Sequence, residues 1–340
     1  MSSPEGNVTA TETAARQSRM AIVLGRIDVR AQLQQLLAFA SLIVLFLFFS
    51  LVNENFMEWS NVSGILLSTA VIGVLALGTT FVIITAGIDL STGTGMTLCA
   101  VMTGVFLTNM QLPLLVGVVG GILTGAVMGL VNGFNVAILQ IPPFIATLAM
   151  MMVAQGLALV ISGTQPIYFT DVDGFIDIAL GELIPGLPNA VLVLFAMAVI
   201  GAVVLAKTLL GRYTFSIGSN EEATSISGIK VRKWKILIYT FAGVFTGVGG
   251  VIIAARLNSA QPALGMGYEL QAIAAVVIGG TSLSGGRGTI VGTMIGALIM
   301  SVLTNGLRIM SIPQEWQTVV IGGVILVAVY ADNIRRRRAA

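Results

Sequence analysis

The sequence predicts an all-α polytopic membrane protein with about ten transmembrane helices. Three observations carry this reading. Hydrophobic residues make up 56% of the chain and charged residues only 9%, with a mean hydropathy of +0.97; a soluble domain averages about 25% charged residues. After Arg30 no Lys or Arg occurs until Lys207, and a charge at the bilayer centre costs about 2.5–3.5 kcal/mol on insertion scales. Apolar runs of about 20 residues, enough to span about 30 Å of hydrocarbon, recur along the whole chain.

Residues 1–32 are polar, with Arg16, Arg19, Arg26 and Arg30 ahead of the first apolar run, and read as a cytoplasmic tail. The run at 33–52 is longer than the apolar core of a cleaved signal and lacks its small-residue cleavage site, so it reads as the first membrane helix. Further runs follow at 62–84, 90–107, 112–139, 143–161, 190–209, 236–255, 270–280, 290–307 and 316–330. The eighth is short for a full span and is expected to tilt, to extend through 281–283, or to break at its glycines. Residues 333–340 form a second basic tail with Arg335 to Arg338. No linker interrupts 33–332, which reads as a single membrane domain.

The charges assign sides. Lys207, Arg212, Lys230, Arg232, Lys233, Lys235 and Arg287 join the basic tails on one side of a ten-helix arrangement, leaving Arg256 and Arg308 at helix ends on the other. Glu54, Glu58, Asp171, Asp173, Asp177 and Glu182 collect on that second side. This is the positive-inside pattern, and it places both termini in the cytoplasm of a bacterial inner membrane. The outer segment 162–189 is long, acidic and broken by Pro185, Gly186 and Pro188, with 175–183 as a candidate interfacial helix.

Small residues repeat at the spacing that lets helix backbones approach closely in lipid: Gly117, Gly121, Gly125, Gly129 and Gly133, then Gly243 with Gly247, and Gly292 with Gly296. Two glycine-punctuated segments, 87–95 and 280–288, share Gly, Leu, Ser and two later Gly positions. Interrupted hydrophobic segments in matching halves mark substrate sites in transporters, and two plain loops are the alternative.

The absence of His and the single Cys99 exclude a disulfide framework and a His or Cys/His zinc site. No G-x-x-x-x-G-K-[ST] loop is present, so ATP is not bound by that route. Asp89, set among apolar runs beside Ser91, is a candidate either for capping the third helix or for lining a pathway. Asn132 and Asn305 are candidates for hydrogen bonding to solute hydroxyls or to neighbouring helices. Glu269 fits the start of the eighth helix, at an outer position open to a docked protein.

The polar segment 211–235 holds the most specific local feature. In Ser219-Asn-Glu-Glu222-Ala-Thr-Ser-Ile-Ser-Gly228, Ser219 fits an N-cap with Glu222 as its capping-box partner, and Gly228 fits the left-handed position after the last turn. A helix of two turns is marginal alone in water, so it is expected to pack against another protein or against lipid headgroups. Glu222-Ala223-x-x-x-x-Gly228 resembles the Glu-Ala-Ala-x-x-x-Gly motif of importer permeases, with Thr224 in place of the second Ala and no Ile-x-Leu-Pro tail.

Further motifs resemble the ribose-type permeases: Leu210-Gly-Arg-Tyr213, Ser227-Gly-Ile229, Ala255-Arg-Leu-Asn-Ser-Ala-Gln-Pro262, Gly267-Tyr-Glu-Leu270, Ala272-Ile-Ala-Ala-Val-Val-Ile-Gly-Gly-Thr-Ser-Leu283 and Gly285-Gly286-x-Gly288. In the first half, Thr85-Ala-Gly-Ile-Asp-Leu-Ser91 and Phe144-Ile-Ala-Thr-Leu148 do the same, so that the likeness covers about 61–332. The resemblance implies a type II ABC importer permease for a monosaccharide or sugar alcohol. It implies two permease copies, a homodimer or heterodimer, with separate ATPase subunits holding ATP and Mg, and a periplasmic or lipid-anchored sugar-binding protein. Asn220, Glu221, Glu222, Ala223, Thr224 and Gly228 would then dock on the ATPase. The competing expectation is a stand-alone ion-coupled secondary transporter, which usually needs coupling carboxylates within the bundle. A membrane enzyme would need a catalytic cluster that the sequence does not offer.

Overall fold

The computed structural model describes residues 29–337, with side chains from 35 to 330 and at 334. The side chains of Arg16, Arg19, Arg26, Arg30 and Arg335 to Arg338 lie outside the described residues. The protein is a helical bundle. Its long helices are α1 (Val29–Val52), α2 (Trp59–Ile84), α4 (Leu114–Ala137), α5 (Pro143–Ser162), α7 (Asn189–Lys207), α10 (Val231–Leu257), α12 (Ile290–Ile309) and α13 (Gln314–Arg337). Short ones are α3 (Thr92–Gly104), α6 (Asp177–Leu180), α8 (Leu209–Ser219), α9 (Glu221–Ile226) and α11 (Tyr268–Ile278). The outer helices run past the expected domain limits, α1 beginning at Val29 and α13 ending at Arg337.

Among the described residues, seven helices are long and apolar enough to cross a membrane: α1, α2, α4, α5, α7, α10 and α12. The three remaining apolar runs of the sequence fold differently. The third becomes α3, only 13 residues long, followed by a π-helical turn at Val105–Asn109. The eighth becomes α11, of 11 residues. The tenth becomes α13, whose apolar part is Gln314–Tyr330. α3 continues without a break into its π-helical turn and ends at Asn109, whereas α11, at about 1.5 Å per residue, covers roughly 16 Å, well short of a bilayer core of about 30 Å.

Burial sorts the helices into a centre and a lipid-facing shell. Every residue of α2 from Thr69 to Ile84 is buried, as is every residue of α3 except Met102. A helix apolar on all faces belongs inside such a bundle. α1, α4, α5, α7 and α13 instead expose large apolar side chains, among them Leu51, Leu115, Val160, Val199 and Leu326. The exposed apolar belt suits lipid contact and would be a liability in water.

The glycine repeats are contact surfaces. A methyl group on Gly125 would run into the Gly243 carbonyl oxygen, and one on Gly129 into that of Tyr239. Gly243 meets the Gly125 carbonyl in return, so α4 and α10 touch backbone to backbone. The stripe on α4 then changes partner: Gly117 packs on Leu107 and Gly121 on Thr103. On α12, Gly292 meets the Gly279 carbonyl and Gly296 that of Ala275, which seats α11 against α12. Hydrophobicity supplies no drive for helices to associate in lipid, so this close packing is what holds them together.

The two ends of the bundle differ. At one end, strands β1 (Ile167–Tyr168) and β2 (Ser259–Ala260) pair antiparallel, with Ile167 opposite Ala260. Phe169 stacks on Phe175 at 4.1 Å beneath the connection 162–189, and the expected interfacial helix is the single turn α6. At the other end lie the end of α2, the short helices α8 and α9, and the loop from α11 to α12.

Candidate functional site

Two polar assemblies and the contact joining them make up the site. The first is the break between α2 and α3. α2 stops at Ile84, Ala86 takes a positive φ of 60°, and the Gly87 N–H returns to the Val82 carbonyl at 3.1 Å. Asp89 Oδ1 then accepts from the Ser91 N–H at 2.8 Å and from Ser91 Oγ at 2.6 Å, a local turn of the kind short acidic side chains favour. Asn132 Nδ2, from α4, donates to Ser91 Oγ at 2.8 Å. Thr147 Oγ1, from α5, accepts from the Leu90 N–H at 3.1 Å. All four side chains are buried.

Asp89, Ser91 and Asn132, singled out separately in the sequence, therefore form one cluster tying the start of α3 to α4 and α5. Of the two sequence readings of Asp89, its bonds are those of a staple on the chain entering α3. Its acceptor serves Ser91 itself and not the deeper turns of the helix. Asn132 Oδ1 and the hydroxyl of Tyr239, which lies against Gly87, have no partner among the described residues. Sequence reasoning missed Thr147 and Tyr239; the signal for Thr147 was its place in Phe144-Ile-Ala-Thr-Leu148. Asn305, on α12, stands apart with Oδ1 buried and unpaired.

The second assembly is α9. Its N-cap is Asn220, whose Oδ1 accepts from the Ala223 N–H at 2.9 Å. This corrects the expectation for Ser219, which ends α8: the chain turns one residue later, so Asn220 takes the extended cap conformation (φ −163°, ψ 104°). Gly228 has φ +82°, the left-handed stop that the sequence predicts. Thr224 is the one buried residue of α9, and its Oγ1 lies 2.9 Å from the Ser216 carbonyl of α8. The Thr that departs from the family motif thus anchors the helix. Lys235 Nζ pairs with Glu221 Oε2 at 2.7 Å, fixing α9 to the start of α10. Glu222, Ala223 and Ile226 face outward, Ile226 with 81% of its surface exposed.

The loop from α11 to α12 connects the two assemblies. The Gly286 N–H donates to the Ile84 carbonyl at 2.8 Å. Gly285, at φ +83°, lies against the Gly218 carbonyl and the Ala86 N–H, and a side chain on Gly218 would strike the Ile84 carbonyl. The end of α8, the end of α2 and this loop therefore meet backbone to backbone, two residues from the α9 cap and five from Asp89. The glycine-punctuated segments 87–95 and 280–288 lead into α3 and α12 and approach each other through Ile84 and Ala86.

Glu269 lies deeper than its expected outer position. α11 ends where Gly279 meets Gly292 in the first turn of α12, and its 11 residues reach back only about half the length of that helix. Its start is therefore inside the bundle, against Gly93 in the first turn of α3. The buried Glu269 carboxylate accepts from the Gly267 N–H at 2.9 and 3.1 Å, capping α11. The half-length α11 and the longer α3 thus begin side by side in the interior, an arrangement that transporters with broken helices use near the bilayer midplane.

A family model described as "Branched-chain amino acid transport system / permease component" matches residues 61–329, from the start of α2 almost to the end of α13's apolar part. The chain belongs to this permease family. It is 40% identical over 311 residues to the ribose import permease protein of Escherichia coli (strain K12), covering 91% of this chain and 96% of that protein. With the ribose import permease protein of Bacillus subtilis (strain 168) it shares 44% over 309 residues, covering 91% and 95%. With the D-allose transport system permease protein of Escherichia coli (strain K12) it shares 35% over 292 residues, covering 86% and 89%. No solved structure matches it.

Proposed function

We propose that this permease is the membrane-spanning subunit of an ATP-driven importer for a monosaccharide or sugar alcohol. The observation that carries the reading is α9: a capped, anchored helix that presents Glu222, Ala223 and Ile226 to a partner, in a chain whose relatives are named as ribose and allose permeases. α9 docks on a separate ATPase chain that binds ATP and Mg. Two permease copies, alike or different, frame the pathway, and an outer sugar-binding protein delivers the solute.

In this reading α3, α11 and α13 complete the seven long spans to about ten crossings, α3 being extended by its π-helical turn and α11 by its glycine-rich flanks. The basic residues Lys207, Arg212, Lys230, Arg232, Lys233, Lys235 and Arg287 support an orientation with the α9 end and both termini in the cytoplasm of the inner membrane. The ribbon end faces outward. When the ATPases close, α9 moves, and α8 carries the displacement through Gly218 to Ile84 and Gly286. The turn stapled by Asp89 and Ser91 then shifts α3 against α4. Both buried carboxylates are engaged by backbone N–H groups, which leaves an ion-coupled transporter without the free carboxylate it usually needs.

Glu222→Arg tests the reading, because Glu222 is exposed and makes no contact that holds α9 in place. The expected result, in proteoliposomes containing the assembled importer, is loss of uptake and of sugar-stimulated ATP hydrolysis with normal membrane insertion. Uptake at the wild-type rate removes α9 from the coupling role.

A further inference from the structure

The ribbon end of the bundle contains a cavity of about 650 Å³ walled by α2, α10, α11, α12 and α13. Its position follows from the half-length of α11. Arg256 and Arg308 stand at its mouth, in the last turns of α10 and α12. Tyr268 and Gln271, at the start of α11 inside the bundle, line it with Ser68 and Gln317. The cavity therefore descends from the ribbon end to the depth where α3 and α11 begin. Its volume lies within the range of about 300–1,000 Å³ usual for small-molecule sites.

The wall has a definite chemistry. None of the residues lining it is acidic, and the one ion pair among the described residues is Lys235 with Glu221, at the far end of the bundle. Among the described residues the Arg256 guanidinium has a single weak hydrogen-bond partner, Ser68 Oγ at 3.3 Å. The Gln317 amide donates to the Ile312 carbonyl at 2.8 Å, which fixes the side chain and leaves its oxygen as an acceptor. Forked guanidinium donors, planar amides and an aromatic ring are the groups that grip a molecule carrying hydroxyls on adjacent carbons and apolar C–H faces. A site meant for a lipid tail would be apolar throughout.

We propose that this cavity is a binding station for a sugar within a single permease copy, where adjacent hydroxyls lie against Arg256 and Arg308 and a ring face lies against Tyr268. The proposal rests on the importer reading above and adds a solute site distinct from a path between two copies. The cavity reaches the start of α11, which packs on Gly93 at the start of α3, so movement of that contact would release the sugar inward.

Cys99 is the only cysteine and is buried, so an introduced cysteine can be followed by itself. The test uses the full importer in vesicles with Gln271→Cys on one wall, and separately Thr318→Cys on α13, so that one misfolded variant does not decide the outcome. Modification by a small water-soluble thiosulfonate is timed with and without ribose, xylose, allose and arabinose, with Leu183→Cys, 81% exposed on the connection 162–189, as the control. The sugar that the importer takes up should slow modification of the cavity cysteines several-fold and leave the control unchanged. Arg256→Gln should cut both that protection and uptake by about tenfold, or about 1.4 kcal/mol, while the permease still co-purifies with its ATPase and binding protein. Equal modification rates with and without a transported sugar overturn the station and leave the importer reading standing. Slowing by phosphatidylglycerol vesicles over phosphatidylcholine ones, with no effect of sugar, overturns it in favour of a lipid phosphate. Loss of binding-protein affinity in Arg256→Gln, with unchanged protection by sugar, assigns the arginine to docking and also overturns it. If the unaltered importer takes up none of the four sugars, the importer reading itself falls.

Discussion

At the residue scale, Asp89 shows how a buried carboxylate is used when nothing cationic is nearby. It accepts from the N–H and hydroxyl of Ser91, and Ser91 in turn accepts from Asn132. A buried donor left unpaired costs about 1–3 kcal/mol. Asp89→Ala is therefore expected to lower the melting temperature and yield of the detergent-solubilised permease. Asp89→Asn keeps an acceptor oxygen in place and should stay close to wild type in stability and in uptake. Normal stability with abolished uptake in Asp89→Asn would show that the carboxylate lines the pathway. Thr224 makes a comparable point beneath α9: its buried hydroxyl lies 2.7 Å from the Asn220 carbonyl and 2.9 Å from the Ser216 carbonyl, so the residue that breaks the family motif joins the Lys235–Glu221 pair in fastening α9.

At the element scale, the α4–α10 contact depends on atoms that are absent. Gly129 faces the Tyr239 carbonyl with no room for a methyl group, whereas a methyl group on Gly156, in α5, would meet nothing within 4 Å. Gly129→Leu should force the helices apart and yield aggregated protein in size-exclusion chromatography, and Gly156→Leu should elute as the wild type does. Equal behaviour of the two would mean that the stripe does not hold the bundle. The short helices α3 and α11 obey a different rule. Their ends lie inside protein, so their free N–H groups are met by side chains and neighbouring backbone instead of water, as Glu269 does for α11.

At the scale of the whole molecule, the two ends carry opposite chemistry, and sidedness is testable. Ile226 and Leu183 are each 81% exposed, at the α9 end and the ribbon end respectively. Ile226→Cys should react with a membrane-impermeant maleimide in inside-out vesicles and not in intact spheroplasts, and Leu183→Cys should do the reverse. Labelling of both from the same side would rule out the proposed orientation. Between the ends, the chain joins α9 to the interior through α8, Ile84 and the Gly285–Gly286 turn, all by backbone contact. Contacts of that kind transmit displacement with little slack, because no side chain is there to change rotamer.

The sequence by itself determined the membrane location, the apolar runs, the charge asymmetry and the short helix around Asn220–Gly228. These follow from composition, length and local capping chemistry, which each segment carries alone. It also named Asp89, Ser91 and Asn132, because polar groups are costly in an apolar setting wherever they end up. Only the tertiary structure decided that those three form one cluster, that Asn220 and not Ser219 caps α9, and that α11 is a half-length helix whose start meets that of α3 inside. Only it showed the cavity between Arg256, Arg308 and Tyr268. The physical reason is that hydropathy registers how apolar a segment is and not how deep it sits: a run of 11 apolar residues reads as a shortened span until its neighbours show that its N-terminus is buried in protein.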